Sequence, residues 1–320
     1  MNLNEVSMLR VLAPAPCLLA LIAAPVQQDR EVFAMGTRLK VHLQAAQAAA
    51  VAEAVLAEVE RIEAACSTWR PDSAFSRINA ASVRAVPLDR EWIQLLVETQ
   101  EWCRRTQGAF DPVLMALLKA WGVREGGRLP GPDERTAALE ASGTAQLELD
   151  EAAGTARLRH PQAGLEEGAF LKGYALDAGR RVALAMGVRN GWADFGGQVL
   201  VWGIPKRVAI ADPVLRGTAR ASILLTDGSL STSGCSERGR HILDPRTGTP
   251  CEAWGSVSVV APSGFDADVL STALYVLGPE AGLAWAEAHH VPALFLPNHG
   301  NARMSPRFAA LRPTFAHGDN

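Results

Sequence analysis

Between residues 192 and 225 the chain reads Trp192-Ala193-Asp194-Phe195-Gly196-Gly197-Gln198-Val199-Leu200-Val201-Trp202, then Arg207-Val208-Ala209-Ile210-Ala211, then Ala219-Arg220-Ala221-Ser222-Ile223-Leu224-Leu225. These short apolar runs are broken by Gly, Pro and Asp, and none carries the three-and-four-residue spacing of a helix. They predict consecutive strands over 192–202, 207–211 and 219–225. A doubly wound parallel sheet needs a crossover helix between strands, so this stretch points to an α+β fold.

Outward from it, residues 31–43, 256–261 and 291–296 predict further strands. Residues 145–149 and 155–159 flank a Glu-Ala-Ala-Gly turn and predict a hairpin. A helix is expected over 46–66, where Val55, Val59, Ile62 and Cys66 recur at helical spacing. Another is expected over 90–107, with Asp89 as N-cap, Gly108 after the end, and Trp92, Leu95, Leu96, Thr99, Trp102 and Cys103 as the buried stripe. Helices over 172–186, 267–277 and 280–289 complete the reading; the last opens after Gly278-Pro279.

The 320 residues suffice for a large core, and 48% hydrophobic against 20% charged residues excludes a disordered chain. The net charge is −3 and no Lys/Arg run is present, so neither a nucleic-acid surface nor a membrane-binding patch is indicated. Lysine occurs only as Lys40, Lys119, Lys172 and Lys206. Arg10 precedes a short apolar run, residues 11–24, that ends in Ala23-Ala24 and reads as a secretory signal over 1–27. A buried first element is the alternative. Cys17 lacks the small-residue context of a lipid-attachment site, so the expectation is an exported, soluble, non-lipidated domain over 28–320. Cys66, Cys103, Cys235 and Cys251 show no metal-ligand spacing. Cys235 and Cys251 bracket one loop and are placed to pair, although unpaired core or loop thiols are the preferred reading.

Common nucleotide and hydrolase signatures (GxGxxG, GxxxxGK[ST], HExxH, GxSxG) are missing. Asp268 and Thr272, four residues apart, share one face of a helix and offer hard oxygen ligands of the kind Mg²⁺ accepts. On spacing alone, an Asp at the helix start with Thr against a neighbouring strand is the stronger reading. Gly168-Ala169-Phe170-Leu171-Lys172-Gly173 places glycines around a helix start, suited to an anion or to a plain loop. His241, before Ile242-Leu243-Asp244-Pro245, is a candidate general base or a turn residue.

Taken in order, these segments resemble the ApbE family of FAD:protein FMN transferases. The likeness runs from Met35-Gly36-Thr37 through Ser67-Thr68-Trp69, Asp72-Ser73, Arg77-Ile78-Asn79, Gly108-Ala109-Phe110-Asp111-Pro112, Lys172-Gly173-Tyr174, Asp177 and Phe195-Gly196-Gly197. It continues to Thr232-Ser233-Gly234, the 241–248 loop and Ala267-Asp268 with Thr272. The resemblance implies a T-fold-like α+β enzyme, generally exported, that binds FAD and Mg²⁺. Such an enzyme attaches FMN by a phosphoester to a Thr or Ser of an acceptor flavoprotein, releasing AMP. It implies that Met35, Trp69, Ala109, Phe110, Asp111, Glu166, Lys172 and Ile242 line the FAD site. It further implies that the Ala169 carbonyl, Asp268 and Thr272 hold Mg²⁺, and that His241 is the candidate base. Membrane contact is then expected only through an exported or membrane-bound acceptor. Two departures stand out: Glu166 replaces the usual Asp, and a Tyr common before the histidine is lost or replaced by Ser236. An FAD pyrophosphatase and a non-catalytic flavin-binding protein are the competing readings.

Overall fold

The computed structural model describes residues 27–215, 217–235 and 241–316. The predicted leader and the stretch holding Ser236 lie outside the described residues. Eight strands pair in the order Gln27–Ala34, Thr37–Gln44, Gly191–Phe195, Gln198–Trp202, Gly228–Gly234, Gly255–Ala261, Ala293–Pro297 and Arg303–Met304. Every neighbouring pair is antiparallel. With eight α-helices among the described residues, this is the α+β class expected.

The central strands are buried on both faces, and their period of two divides them between two cores. Leu200, Trp202, Val257, Val259 and Phe295 join the larger core, packed under the helices Ala48–Cys66, Leu171–Ala185 and Gly264–Ala288. Val199, Val201, Val260, Leu294 and Leu296 point the other way. There they meet Val208, Ile210, Ala221 and Ile223 of a three-stranded sheet made by Lys206–Ala211, Ala219–Leu225 and Thr314–Phe315. A smaller cluster joins the helices Met115–Ala120 and Pro132–Glu140 to Leu243.

Several readings of the sequence are refined in the structure. The strand expected over 31–43 is a hairpin turning at Met35 and Gly36, both at positive φ (44° and 74°) as a two-residue primed turn needs. The run 192–202 is likewise a hairpin, folded at Gly196-Gly197 with φ of 62° and 91°. The polar segment Gly228–Gly234 is a central strand; its serines conceal it from a hydrophobicity-based reading. The helices expected over 267–277 and 280–289 are both present within Gly264–Ala288, separated where Gly278 leaves helical geometry (φ 81°) ahead of Pro279, and the first begins earlier, at Gly264. Asp89 occupies the N-cap position of Arg90–Arg105, yet its side chain makes no capping bond.

What positions the site is the crossing of Leu171–Ala185 with Gly264–Ala288. A Cβ on Gly173 would lie 2.2 Å from the Gly264 carbonyl oxygen, and one on Gly264 would lie 2.5 Å from that of Gly173. Backbone meets backbone, so neither side has a rotamer to yield. Gly173→Ala is therefore expected to destabilise the fold by about 3 kcal/mol, the upper end for overpacking. A thermal melt reads this as a fall in Tm of roughly 5–10 °C; an unchanged Tm would show that the crossing is loose.

Candidate functional site

The Gly264–Ala288 helix starts on a fixed footing. Both Asp177 oxygens accept from its first amides, Gly264 N and Phe265 N (each 2.9 Å), and Ser263 Oγ accepts from Asp266 N. One turn in, Asp268 is buried, and its Oδ2 accepts from Gly173 N across the crossing (3.1 Å). Ordinary helical pairing would send the Gly173 N–H to the Ala169 carbonyl. That N–H goes to Asp268 instead, and no other described backbone N–H takes the Ala169 oxygen. Thr272 follows one turn after Asp268, 3.4 Å from Ser233 Oγ, which also contacts Ser271 Oγ at 2.9 Å.

Burial lifts the Asp268 carboxyl above its ordinary range, against the opposing pull of Lys172 and the Gly173 N–H. Lys172 Nζ lies 3.9 Å from Asp268 Oδ2 and donates to the Gly168 carbonyl (3.0 Å). A buried carboxylate, a released carbonyl and a hydroxyl form a hard-oxygen set with little charge, which fits Mg²⁺ shared with a ligand's phosphates. Among the described residues no three or more His, Cys, Asp or Glu cluster as a self-sufficient metal centre. The helix start itself is no free anion site, because Glu166 Oε2 already accepts from Gly168 N (3.0 Å).

Beside this corner stand two consecutive acids. Burial and the adjacent Glu167 push the Glu166 carboxyl well above the usual carboxylate range, with Arg124 opposing. Glu167 accepts from Thr68 twice, at N (2.9 Å) and Oγ1 (2.6 Å). The neighbouring Trp69 is 67% exposed. A third wall comes from the turn after Arg90–Arg105. Ala109 and Phe110 bury their side chains, so any ligand contact there falls to their main chain. Asp111 accepts from Val113 N and Thr144 N (2.8 Å each) and from Cys103 Sγ (3.3 Å), bracing the turn. Glu166 N donates to Pro112 O (2.8 Å), which ties this wall to the acids.

The 241–248 loop closes the same side. Ile242 is buried and its carbonyl accepts from Cys251 N (2.9 Å), Leu243 and Asp244 pair with Pro250 and Thr249, and Trp121 Nε1 donates to Gly248 O. A Cβ on Gly108 would touch Arg246 Cγ at 3.5 Å, so the loop and the 108–112 turn are neighbours. His241 is partly exposed at the start of the loop. Cys66, Cys103, Cys235 and Cys251 are all free thiols, as preferred from the sequence. Of two concavities, one of about 370 Å³ is lined by residues such as Trp92 and one of about 480 Å³ lies against Gly108 and Thr144 at the outer side of the 108–112 turn; neither includes Asp268 or Lys172.

The ApbE family model matches residues 35–295. The chain belongs to the ApbE family. It is 31% identical to the FAD:protein FMN transferase of Treponema pallidum over 84% of each chain. The ApbE protein of Thermotoga maritima superposes with a TM-score of 0.83 at 27% identity, covering 89% of this chain and 99% of that one. The flavin transferase ApbE of Vibrio cholerae gives 0.81 at 25% identity, covering 90% and 99%.

Within this ApbE chain the geometry joins Lys172, Gly173 and Asp268 at one corner, links Glu166 to them through Gly168, and sets Thr272 one helical turn beyond Asp268 against Ser233. Met35 lies in the turn of the first hairpin, at positive φ. It lies near the Gly196-Gly197 turn, where a Cβ on Gly196 would press on Thr37 at 2.7 Å. Several other motif residues serve the frame: Asp177 caps a helix, and Asn79 exchanges two hydrogen bonds with the Leu165 main chain. Sequence reasoning missed Glu167, Thr68 and Arg124 as a connected group. The Thr68–Glu167 and Thr68–Arg124 links span 99 and 56 residues, beyond any local pattern.

Proposed function

We propose that this ApbE protein transfers FMN from FAD to a Thr or Ser hydroxyl of an acceptor protein, forming a phosphoester and releasing AMP. The observation that supports the reading is the helix crossing, where Asp268 Oδ2 takes the Gly173 N–H, the Ala169 carbonyl is left without a backbone donor and Lys172 Nζ lies 3.9 Å from Asp268, with Thr272 one helical turn further on. Mg²⁺ held by the Ala169 carbonyl, Asp268 and Thr272 would neutralise charge on the pyrophosphate. Lys172 supplies a fixed positive charge to the same phosphates and orients them. Trp69 and Glu166 receive the flavin end, and the main chain of Ala109 and Phe110, with Ile242, closes around it. A ring nitrogen of His241 takes the proton of the acceptor hydroxyl as its oxygen bonds to the FMN phosphorus. The bond from that phosphorus to the AMP oxygen breaks, and AMP leaves as the anion. An exported location and an exported or membrane-bound acceptor belong to the same proposal. Among the described residues no helix is long and apolar enough to cross a membrane.

FAD, and not FMN, is the expected donor. Transfer from FMN would have to expel hydroxide from phosphorus, whereas FAD offers an anhydride with AMP as leaving group. The test incubates protein, Mg²⁺ and an acceptor with FAD or with FMN, then looks for covalent flavin fluorescence in a denaturing gel. Equal labelling from FMN would overturn the donor assignment. Release of AMP and FMN without labelling would favour a pyrophosphatase, and neither reaction a binding protein.

A further inference from the structure

Trp69 is an odd residue to leave 67% exposed, because an indole on a loop gains nothing for the core. It is nonetheless held from two directions. Its main chain follows Thr68, whose N–H and hydroxyl both donate to the buried Glu167 carboxylate. Its ring lies under the Arg124 guanidinium, whose Cζ stands 4.2 Å from the indole centroid. Arg124 Nη2 also donates to Thr68 Oγ1 (2.7 Å) and lies 3.6 Å from Glu166 Oε1. Thr68 thus relays between Arg124 and Glu167, donating to one and accepting from the other.

Arg124 is itself fixed. It sits in a single tight turn, Val123–Glu125, framed by Gly122 and Gly126 at positive φ (60° and 93°). Glu166 carries one methylene more than the Asp expected there, and Arg124 is the cation that meets its carboxylate. A guanidinium stacks flat on an indole and forks toward carboxylates at once, which an ammonium does not do.

Resting on the flavin-transfer reading, we propose that Arg124 is a positioning residue: it clamps one face of Trp69 so that the opposite face is a rigid platform for the isoalloxazine ring. The platform touches the ring system alone, so its contribution is the same for riboflavin, FMN and FAD. Lys172 and Asp268, by contrast, act only on flavins that carry phosphate.

The experiment titrates riboflavin, FMN and FAD, followed by quenching of flavin fluorescence, against the full-length protein and its Arg124→Ala, Arg124→Lys and Trp69→Ala variants. Arg124→Ala is expected to weaken all three flavins by one common factor of about ten. In the transfer assay KM for FAD should rise by the same factor while kcat stays within about twofold. Arg124→Lys, which keeps the charge and loses the plane, should behave like Arg124→Ala. The Arg124→Ala/Trp69→Ala double variant should be no weaker than Trp69→Ala alone. If Arg124→Ala does not fold, Arg124→Met, which preserves the stem, takes its place. Loss confined to FMN and FAD would make Arg124 a phosphate ligand and overturn the proposal, as would full rescue by Lys or a fall in kcat at constant KM. Normal flavin binding by Arg124→Ala overturns this role alone, whereas a parent protein that binds no flavin overturns the transfer reading with it.

Discussion

Asp268→Asn is expected to lower FMN transfer by about 10³-fold or more while the metal-free protein melts at the same temperature as the parent or higher. The two effects come from the same burial. Asp268 is held above its ordinary range chiefly by desolvation, so its ionised form is disfavoured in the folded protein. For a carboxyl with a raised folded value, stability falls as pH rises from the unfolded value through the folded one, and stays lower above it. At neutral pH the charge therefore weighs against the fold unless a cation answers it. Asn keeps an acceptor for Gly173 N, preserving the 3.1 Å bond that frees the Ala169 carbonyl. What it removes is the negative charge of the ligand set, and metal stabilisation of a transferring phosphoryl group supplies several kcal/mol, each 1.36 kcal/mol being tenfold in rate. Asp268→Ala should be equally inactive but less informative, because it also orphans Gly173 N. The measurements are single-turnover transfer at saturating FAD with Mg²⁺ or EDTA, and melts at pH 5 and 8 in metal-free buffer. Undiminished transfer by Asp268→Asn, or by the parent in EDTA, would sink the metal assignment. The stability gain should be larger at pH 8 than at pH 5.

How far such a site was legible depends on which link each residue serves. Asp268 and Thr272 share a helix face by spacing alone, and the helix is there. What spacing left open, metal ligand or structural Asp, is a tertiary matter: Asp268 Oδ2 holds the partner helix at Gly173 N, and the proposed Mg²⁺ site adds the ligand role to it. The helices and the buried stripe of Trp92, Leu95, Leu96, Thr99, Trp102 and Cys103 were readable because one face of each is apolar. The strand Gly228–Gly234 was not, because it turns serines toward Ser271 of the Gly264–Ala288 helix and Thr232 toward Ser258. Its side chains pack through hydroxyl contacts, which leave no hydrophobic period to count. Residues 192–202 misread as one strand for the opposite reason: both arms are apolar, and only the positive φ of Gly196 and Gly197 marks the fold between them. Of the two readings left open for the 168–173 helix start, anion site or plain loop, the backbone favours neither by pattern, because its N–H groups meet the chain's own carboxylates, Glu166 at Gly168 N and Asp268 at Gly173 N.

His241→Ala is expected to slow transfer from saturating FAD by about 10²–10⁴-fold, the usual contribution of a general base. FAD affinity should change by less than tenfold, within roughly 1.4 kcal/mol. The separation rests on how the loop is anchored. Ile242 is buried and its carbonyl pairs with Cys251 N, Leu243 packs with the Met115–Ala120 and Pro132–Glu140 helices, and the Gly248 carbonyl is held by Trp121. These anchors are made by the main chain and by Leu243 and Trp121, so they remain when the imidazole is removed. His241 stands partly exposed at the start of that loop, and in the proposed mechanism it meets the acceptor hydroxyl while Lys172 and Asp268 address the phosphates. A base needed only in the attack on phosphorus lowers kcat without strengthening or weakening the ground-state complex. FAD titration and single-turnover transfer on the same variant decide the matter. A collapse in affinity with a surviving rate at saturation would make His241 a binding residue, and the proton of the acceptor hydroxyl would then have to leave through another group.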